Sequence, residues 1–135
     1  MIVVDANIIV HAVVASDKTP LAKSVAQCDA NWLVPTLWRY EVLNVLATLA
    51  RNQRIASDDA QTALHNAELL AAPGERSVDQ SIVLRTALQL GISGYDAQYI
   101  ALARLFGVRC VTADAALTRK ASGIAIGLEE FIAGA

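Results

Sequence analysis

Four acidic side chains occupy positions in this sequence from which they could take part in chemistry. Asp5 directly follows the β-branched run IVV, and Asp114 comes just beyond the apolar stretch 108–112. Ligands of an open parallel sheet bind beyond the carboxyl ends of its strands, so two parallel strands would bring both carboxylates to one edge. Asp96 begins the helix that leads into the second of these strands, and that position alone does not fix the edge at which it lies.

Glu41 differs from the three aspartates because it is predicted to lie in the middle of a helix over 36–53, where no cap is needed. At 100° per residue it shares a narrow polar stripe with Asn44, Thr48 and Asn52. The rest of this helix is apolar almost all round, which predicts that it is central and buried. A buried carboxylate without a partner is too costly to keep ionised, so the stripe either has partners or faces solvent.

Each aspartate also has a purely structural interpretation, because aspartate is common at helix starts. Asp5 could cap a helix that begins at Ala6, and Asp114 could cap the short helix that follows it. The sequence SGYD at 93–96 matches a capping box, with Asp96 at its third helical position. If all of these acids are caps, the chain is a non-catalytic binding module.

A cluster of these four acids would need a cation, because like charges repel and raise each other's pKa values. Carboxylate oxygens suit hard divalent ions, and the chain has no Cys/His cluster, so Mg²⁺ or Mn²⁺ is favoured over zinc. His65 is predicted to be solvated, and His11 is predicted to pack rather than to bind a metal. Cys28 and Cys110 lie far apart and form no CxxC motif, which indicates a reduced, cytoplasmic protein without a disulfide.

The elements that would position the acids alternate between short strands and helices, without a repeat or a linker. Strands are predicted at 2–4, 32–34, 76–78, 108–112 and within 123–128. Helices are predicted at 20–30, 36–53, from an N-cap at Ser57 to Pro73-Gly74, 79–91, 93–107 and 114–121. This alternation predicts one α/β domain over 1–135, with a parallel sheet and helices on both faces.

The composition excludes several other classes of protein. With 55% hydrophobic and 18% charged residues the chain is not disordered. The longest stretch without a charged side chain, 6–16, is too short for a membrane span, which needs about 20 apolar residues. The start MIVVDAN lacks the basic region of a signal peptide. The chain has 13 acids and 11 bases. With four acids in one pocket, 9 acids face 11 bases elsewhere, so the net charge of −2 does not exclude a nucleic-acid partner.

Four segments, in order, resemble the PIN domain family and in particular the VapC-like toxin ribonucleases of bacterial toxin–antitoxin pairs. These segments contain the four acids and read IVVDANIIV, PTLWRYEVLNVL, SGYDAQYIALARLFGV and VTADAAL. The resemblance covers essentially the whole chain. It implies a PIN-like three-layer α/β/α fold with a central, mostly parallel sheet of four to five short strands.

The resemblance also implies a function, that of an endoribonuclease in which the four acids hold catalytic Mg²⁺ or Mn²⁺ and a metal-activated water cleaves RNA. Asp5 and Asp96 would be direct ligands, whereas Asn7 and Thr112 would help to shape the site. In that fold the helix that carries Asp96 brings it to the pocket. A likeness to toxins further implies a homodimer and a cognate antitoxin that lies across or near the acids.

Three basic residues lie near these segments and could contact the RNA backbone or simply be solvated: Arg39, Arg119 and Lys120. Some relatives carry a further acid where this chain has Ala115 and Ala116, so the resemblance leaves the number of metal ions open.

A phosphatase with strand-end aspartates is the competing enzymatic hypothesis. A phosphatase of the haloacid type would carry a second aspartate two residues after the first, where this chain has Asn7. A receiver domain would need paired acids after the first strand and a lysine after a late strand, and neither is clear in this sequence.

Overall fold

The computed structural model describes residues 1–134 and contains one five-stranded sheet in which every pairing is parallel. The strand order is β3-β2-β1-β4-β5. The strands are β1 Ile2–Val4, β2 Trp32–Pro35, β3 Glu75–Arg76, β4 Cys110–Thr112 and β5 Ala125–Gly127. The helices are α1 Ala6–Val13, α2 Thr19–Cys28, α3 Trp38–Arg51, α4 Ser57–Ala71, α5 Gln80–Leu90, α6 Gly94–Phe106, α7 Ala115–Lys120 and α8 Leu128–Ala133. The α/β/α architecture predicted from the sequence is confirmed.

The central strand β1 brings the two strand-end aspartates to one edge of the sheet. Its three side chains are all buried, as expected of a parallel strand that helices cover on both faces. Val4 pairs with Val111 of β4 in parallel register. The chain therefore leaves both strands at the same edge, with Asp5 directly after β1 and Asp114 two residues after β4.

Helix ends follow the local sequence signals closely. The Asp79 carboxylate accepts a hydrogen bond from a first-turn amide of α5, and that helix ends at Gly91 with φ 64°. The Ser93 hydroxyl accepts from the amide of Asp96 at 3.0 Å, and α6 ends at Gly107 with φ 65°. Both glycines adopt the left-handed conformation that other residues rarely adopt, so they stop these helices where the sequence predicts.

Some predicted boundaries are wrong. Helix α4 does begin at Ser57, but its N-cap is Ala56 and no side chain caps it. The third strand is Glu75–Arg76 rather than 76–78, because it extends only as far as its pairing with β2. The sequence does not predict the C-terminal helix Leu128–Ala133. Its only helix-start signal is the acidic pair Glu129 and Glu130, and no side-chain cap hydrogen bond forms.

Helix α3 is not buried all round, which contradicts the prediction made from its apolar composition. Only Trp38, Val42 and Leu46 are buried. Tyr40 is 69% exposed and Leu43 is 50% exposed. The reason is that α3 packs on α1 and α4 and leaves its other side uncovered in the single chain.

Neither a membrane span nor a disulfide occurs in the part of the chain that the structure describes. No helix within residues 1–134 is long and apolar enough to cross a membrane. Cys28 is exposed, Cys110 is buried, and both are free thiols, as the sequence predicts.

Candidate active site

All four acids predicted from the sequence line one cleft of about 460 Å³ at the carboxyl edge of the sheet. We call this the acidic cleft; its acids are Asp5, Glu41, Asp96 and Asp114. Each of them lies at the start of a different helix, respectively α1, α3, α6 and α7. Helix starts carry partial positive charge, which favours carboxylates there.

The position of Asp96, which the sequence left open, follows from the path of the chain. Helix α6 ends three residues before β4 begins, so its last turn lies near the amino edge of the sheet. Its first turn, with Asp96, therefore reaches the carboxyl edge. Glu41 arrives in the same way, because α3 begins at Trp38, shortly after β2 ends. Glu41 thus lies in the first turn of α3, and the prediction that it is mid-helix is wrong.

Asp5 is held by side chains rather than serving as a cap. It is only 7% exposed, and it makes no side-chain cap hydrogen bond to α1. Its Oδ2 accepts from the Thr112 hydroxyl at 2.8 Å and from Asn7 Nδ2 at 3.3 Å. Asn7 Oδ1 in turn accepts from the amide of Ala113 at 3.1 Å. These bonds fix the Asp5 carboxylate at the floor of the cleft and tie β1 to β4.

Glu41 receives a hydrogen bond that no spacing in the sequence indicates. Tyr99 of α6 is fully buried, and its hydroxyl donates to Glu41 Oε1 at 2.6 Å. Asn44, one turn along α3, also lines the cleft. Glu41 and Asn44, the first two residues of the polar stripe, therefore line the cleft, whereas Asn52 is exposed beyond the end of the helix.

Asp96 and Asp114 combine a structural position with access to the cleft. The Ser93 half of the predicted capping box forms through the Asp96 amide, and the Asp96 side chain lines the cleft. Asp114 Oδ1 accepts from the amides of Ala116 at 2.8 Å and Leu117 at 3.3 Å. Asp114 is thus a helix cap, as its structural interpretation predicts, and a cleft residue as well.

The acids influence one another's ionisation, which agrees with their being close together. Burial raises the pKa of Asp5 from 3.8 to about 7; the Thr112 hydrogen bond opposes this rise, and the charges of Glu41 and Asp96 add to it. Burial is also the main cause that raises the pKa of Glu41, where the Tyr99 hydrogen bond lowers it and the charge of Asp96 raises it.

The pKa of Asp96 is raised by burial first and then by the negative charge of Asp114. The charge of Lys120 opposes this rise, and its Nζ donates to the carbonyl of Gly91 at 3.2 Å. Arg39 instead forms an ion pair with Glu75, with Nε and Oε1 2.8 Å apart.

The donors of the acidic cleft suit a hard divalent cation, but they do not yet surround one. Within residues 1–134 no three acidic, histidine or cysteine side chains lie close enough together to hold a metal ion. Glu41 Oε1 and Asp114 Oδ1 are engaged by protein donors, and the second oxygen of each carboxylate is left for other partners. A cation would therefore have to draw the carboxylates together, and neutralising their repulsion favours that movement.

Sequence reasoning also missed His11 as a cleft residue. It lines the cleft, and its Nδ1 is 3.1 Å from the Ser16 hydroxyl. Burial and the charge of Lys18 lower its pKa. The available signal was its position one turn after Asn7 on α1, which places both on one face of the helix. His65 is exposed, as predicted.

A family model described as PIN domain matches residues 2–123 of the chain. No curated protein matches it. Among solved structures, a protein from Pyrobaculum aerophilum is 24% identical with a TM-score of 0.73, covering 98% of this chain and 94% of that one.

Two further solved structures share the fold at lower identity. One is a toxin–antitoxin complex from Klebsiella pneumoniae, 16% identical with a TM-score of 0.65, covering 95% of this chain and 98% of the other. The other is FitAcB from Neisseria gonorrhoeae, 17% identical with a TM-score of 0.66, covering 96% and 99% respectively. At these identities the likeness concerns the fold.

We expect Asp5→Asn to stabilise the metal-free protein near neutral pH. The folded chain holds the Asp5 proton more tightly than the unfolded chain, so the stabilisation present below pH 3.8 is lost as the pH rises to about 7. A difference of about three pKa units corresponds to at most about 4 kcal/mol. An asparagine at this position can still accept from Thr112 but carries no charge.

Urea unfolding at pH 4 and pH 8, with a chelator present to keep the protein metal-free, measures this effect. The loss of stability between the two pH values should be smaller in Asp5→Asn than in the wild type. Asp79→Asn, which alters a cap outside the cleft, is the matched control and should follow the wild type. If the wild type and Asp5→Asn lost the same free energy of unfolding, the raised pKa of the Asp5 carboxyl would be contradicted.

Proposed function

Because the chain belongs to the PIN domain family, we propose that it is a metal-dependent endoribonuclease, the toxin of a toxin–antitoxin pair acting in the cytoplasm. PIN domains are generally nucleases. The observation that carries the proposal is the convergence of four carboxylates on one cleft at the carboxyl edge of the sheet. The metal dependence, the RNA substrate and the antitoxin are the finer parts of the proposal.

In this proposal, Asp5 and Asp96 would hold Mg²⁺ or Mn²⁺ directly, and the ligand set would be completed from Glu41 and Asp114. The bound ion would neutralise charge on the scissile phosphate and lower the pKa of a water molecule. Thr112 and Asn7 support the site by holding Asp5 Oδ2 in place.

The remaining chemistry requires an acceptor for the proton of the attacking water. Of Glu41 Oε2 and Asp114 Oδ2, the one that does not bind the ion suits this role, because the protein's own hydrogen bonds go to the other oxygen of each carboxylate. A serine or histidine nucleophile is not required. Lys120, whose charge lowers the pKa of Asp96, is the basic residue that we propose to contact the RNA backbone.

The competing hypotheses explain less of the cleft. If the acids were only caps, the Asp5 side chain would cap α1, and it makes no side-chain cap hydrogen bond to that helix. Glu41 also has no capping role, since its hydrogen bond comes from Tyr99. A phosphatase of the haloacid type would need an acid at position 7, where Asn7 links the start of α1 to the end of β4.

Two uncovered apolar surfaces support the proposed protein partners. A groove of about 190 Å³ lies between α3 and α4, lined by Leu43, Leu46, Ala47, Ala50, Ala60 and Leu64 among others. It runs along the same helix that carries Glu41, so we assign it to a segment of the antitoxin. Leu84 and Leu88 of α5, 62% and 77% exposed, form the patch that we assign to the homodimer.

The nuclease proposal predicts that Asp96→Asn abolishes metal-dependent RNA cleavage and leaves the fold intact. The Ser93 cap uses the backbone amide at this position and survives the change. We expect a loss of at least about 100-fold, as is typical when one preorganised electrostatic group is removed. Cleavage of a labelled RNA with Mn²⁺ measures it, with Asp79→Asn as the control. Wild-type cleavage by purified Asp96→Asn, free of contaminating nuclease, would refute the assignment.

The partner proposal predicts that the two surfaces can be disrupted separately. Leu88→Glu should convert the dimer to a monomer, because a charge at a desolvated interface is costly. Leu43→Glu should leave the dimer intact and weaken binding of the proposed antitoxin, for which the product of the neighbouring gene is tested. Light scattering after size-exclusion chromatography measures the oligomeric state, and co-expression with that gene product measures complex formation. Leu69→Glu, at a leucine that is 65% exposed, is the control. A wild-type monomer that forms no complex with that product would argue for a free-standing nuclease.

A further inference from the structure

One hydrogen bond connects a buried tyrosine of α6 to a carboxylate of α3. Tyr99 is fully buried, and its hydroxyl lies 2.6 Å from Glu41 Oε1. The two residues are 58 positions apart in the chain, so the contact exists only in the folded protein. Within residues 1–134 no buried side-chain oxygen or nitrogen lacks a hydrogen-bond partner, and this bond satisfies the Tyr99 hydroxyl.

This hydrogen bond makes the two carboxylate oxygens of Glu41 chemically different. Oε1 accepts from the hydroxyl of Tyr99, which occupies one of its two lone pairs, so Oε2 is the oxygen with both lone pairs open to a cation. Asp96 lies three residues before Tyr99 and lines the cleft from the same helix. Side chains three apart share a helix face, so α6 both presents one carboxylate and orients another.

The number of oxygens that a carboxylate offers discriminates between divalent cations. Ca²⁺ takes six to eight oxygen ligands and accepts carboxylates in bidentate fashion, whereas Mg²⁺ demands near-octahedral geometry and keeps several waters. A carboxylate limited to one oxygen therefore suits Mg²⁺, and one that is free to offer both oxygens improves binding of Ca²⁺.

We propose that Tyr99 is a positioning residue that sets metal specificity: its hydrogen bond holds Glu41 Oε1, so bidentate binding by Glu41 would have to share or break that bond, and this favours Mg²⁺ and Mn²⁺ over Ca²⁺. This inference rests on the proposed metal-dependent function. Asp5 supports it, because Thr112 and Asn7 engage one of its oxygens in the same way. Two carboxylates of the cleft are then restricted by donors that the fold supplies.

The test compares the full-length wild type with Tyr99→Phe, which removes only the hydroxyl. Binding of Mn²⁺ is followed by electron paramagnetic resonance, and Mg²⁺ or Ca²⁺ is added as the competitor. We expect the preference for Mg²⁺ over Ca²⁺ to fall about tenfold in Tyr99→Phe, the scale of one hydrogen bond to a charged group. Tyr95→Phe is the matched control: the same atom is lost from the same helix, at a side chain 67% exposed.

Loss of packing alone cannot produce this result, because phenylalanine keeps the ring in place. A preference that stays unchanged, or affinities for both ions that fall equally, would overturn the inference. If Tyr99→Phe does not fold, Tyr99→Met provides the test, since methionine fills a buried apolar site without donating to Glu41 and leaves the proposed ligands unchanged; the same loss of preference is expected. A wild-type chain that binds no Mn²⁺ would refute the proposed metal dependence as well, whereas an unchanged preference refutes this inference alone.

Discussion

Like charges repel, and this domain directs four carboxylates into one cleft at the carboxyl edge of its sheet. The shared direction of the parallel strands explains this convergence. A helix that follows or precedes a central strand begins at that edge, and each of the four acids lies at a helix start. The positive ends of four helices offset part of the repulsion. Burial is the main cause that raises the pKa values of Asp5, Glu41 and Asp96, and the charges of the neighbouring acids add to it; a divalent cation would neutralise that repulsion.

The side chains around the acids hold the repelling groups in place. The Thr112 hydroxyl and the Asn7 amide bind Asp5, the Tyr99 hydroxyl binds Glu41, and the first amides of α7 bind Asp114. Each donor comes from an element packed into the core, so the orientation of a carboxylate depends on the global fold. Such support is what a preorganised ligand set requires, since a group that rotates freely would move away from its neighbours.

The parts of this arrangement that depend on local signals could be predicted from the sequence. The buried strand in the run IVV, the Asp79 and Ser93 caps and the glycines that end α5 and α6 all rest on short-range chemistry. The burial of α3 could not be predicted, because its apolar surface exceeds what α1 and α4 cover. The bond between Tyr99 and Glu41 joins residues 58 apart, and no periodicity in the sequence indicates it. The PIN family likeness supplied the grouping of the four acids, which spacing alone left open for Asp96 and Glu41.

The central claim is that these carboxylates form one cation site. Crystals of the wild-type chain grown with Mn²⁺ and measured near the manganese absorption edge test it directly. The account predicts an anomalous peak in the acidic cleft, within bonding distance of Asp5 and Asp96 and with Glu41 bound through Oε2. A cleft without such a peak at saturating Mn²⁺, or a peak only at some other surface, would contradict it.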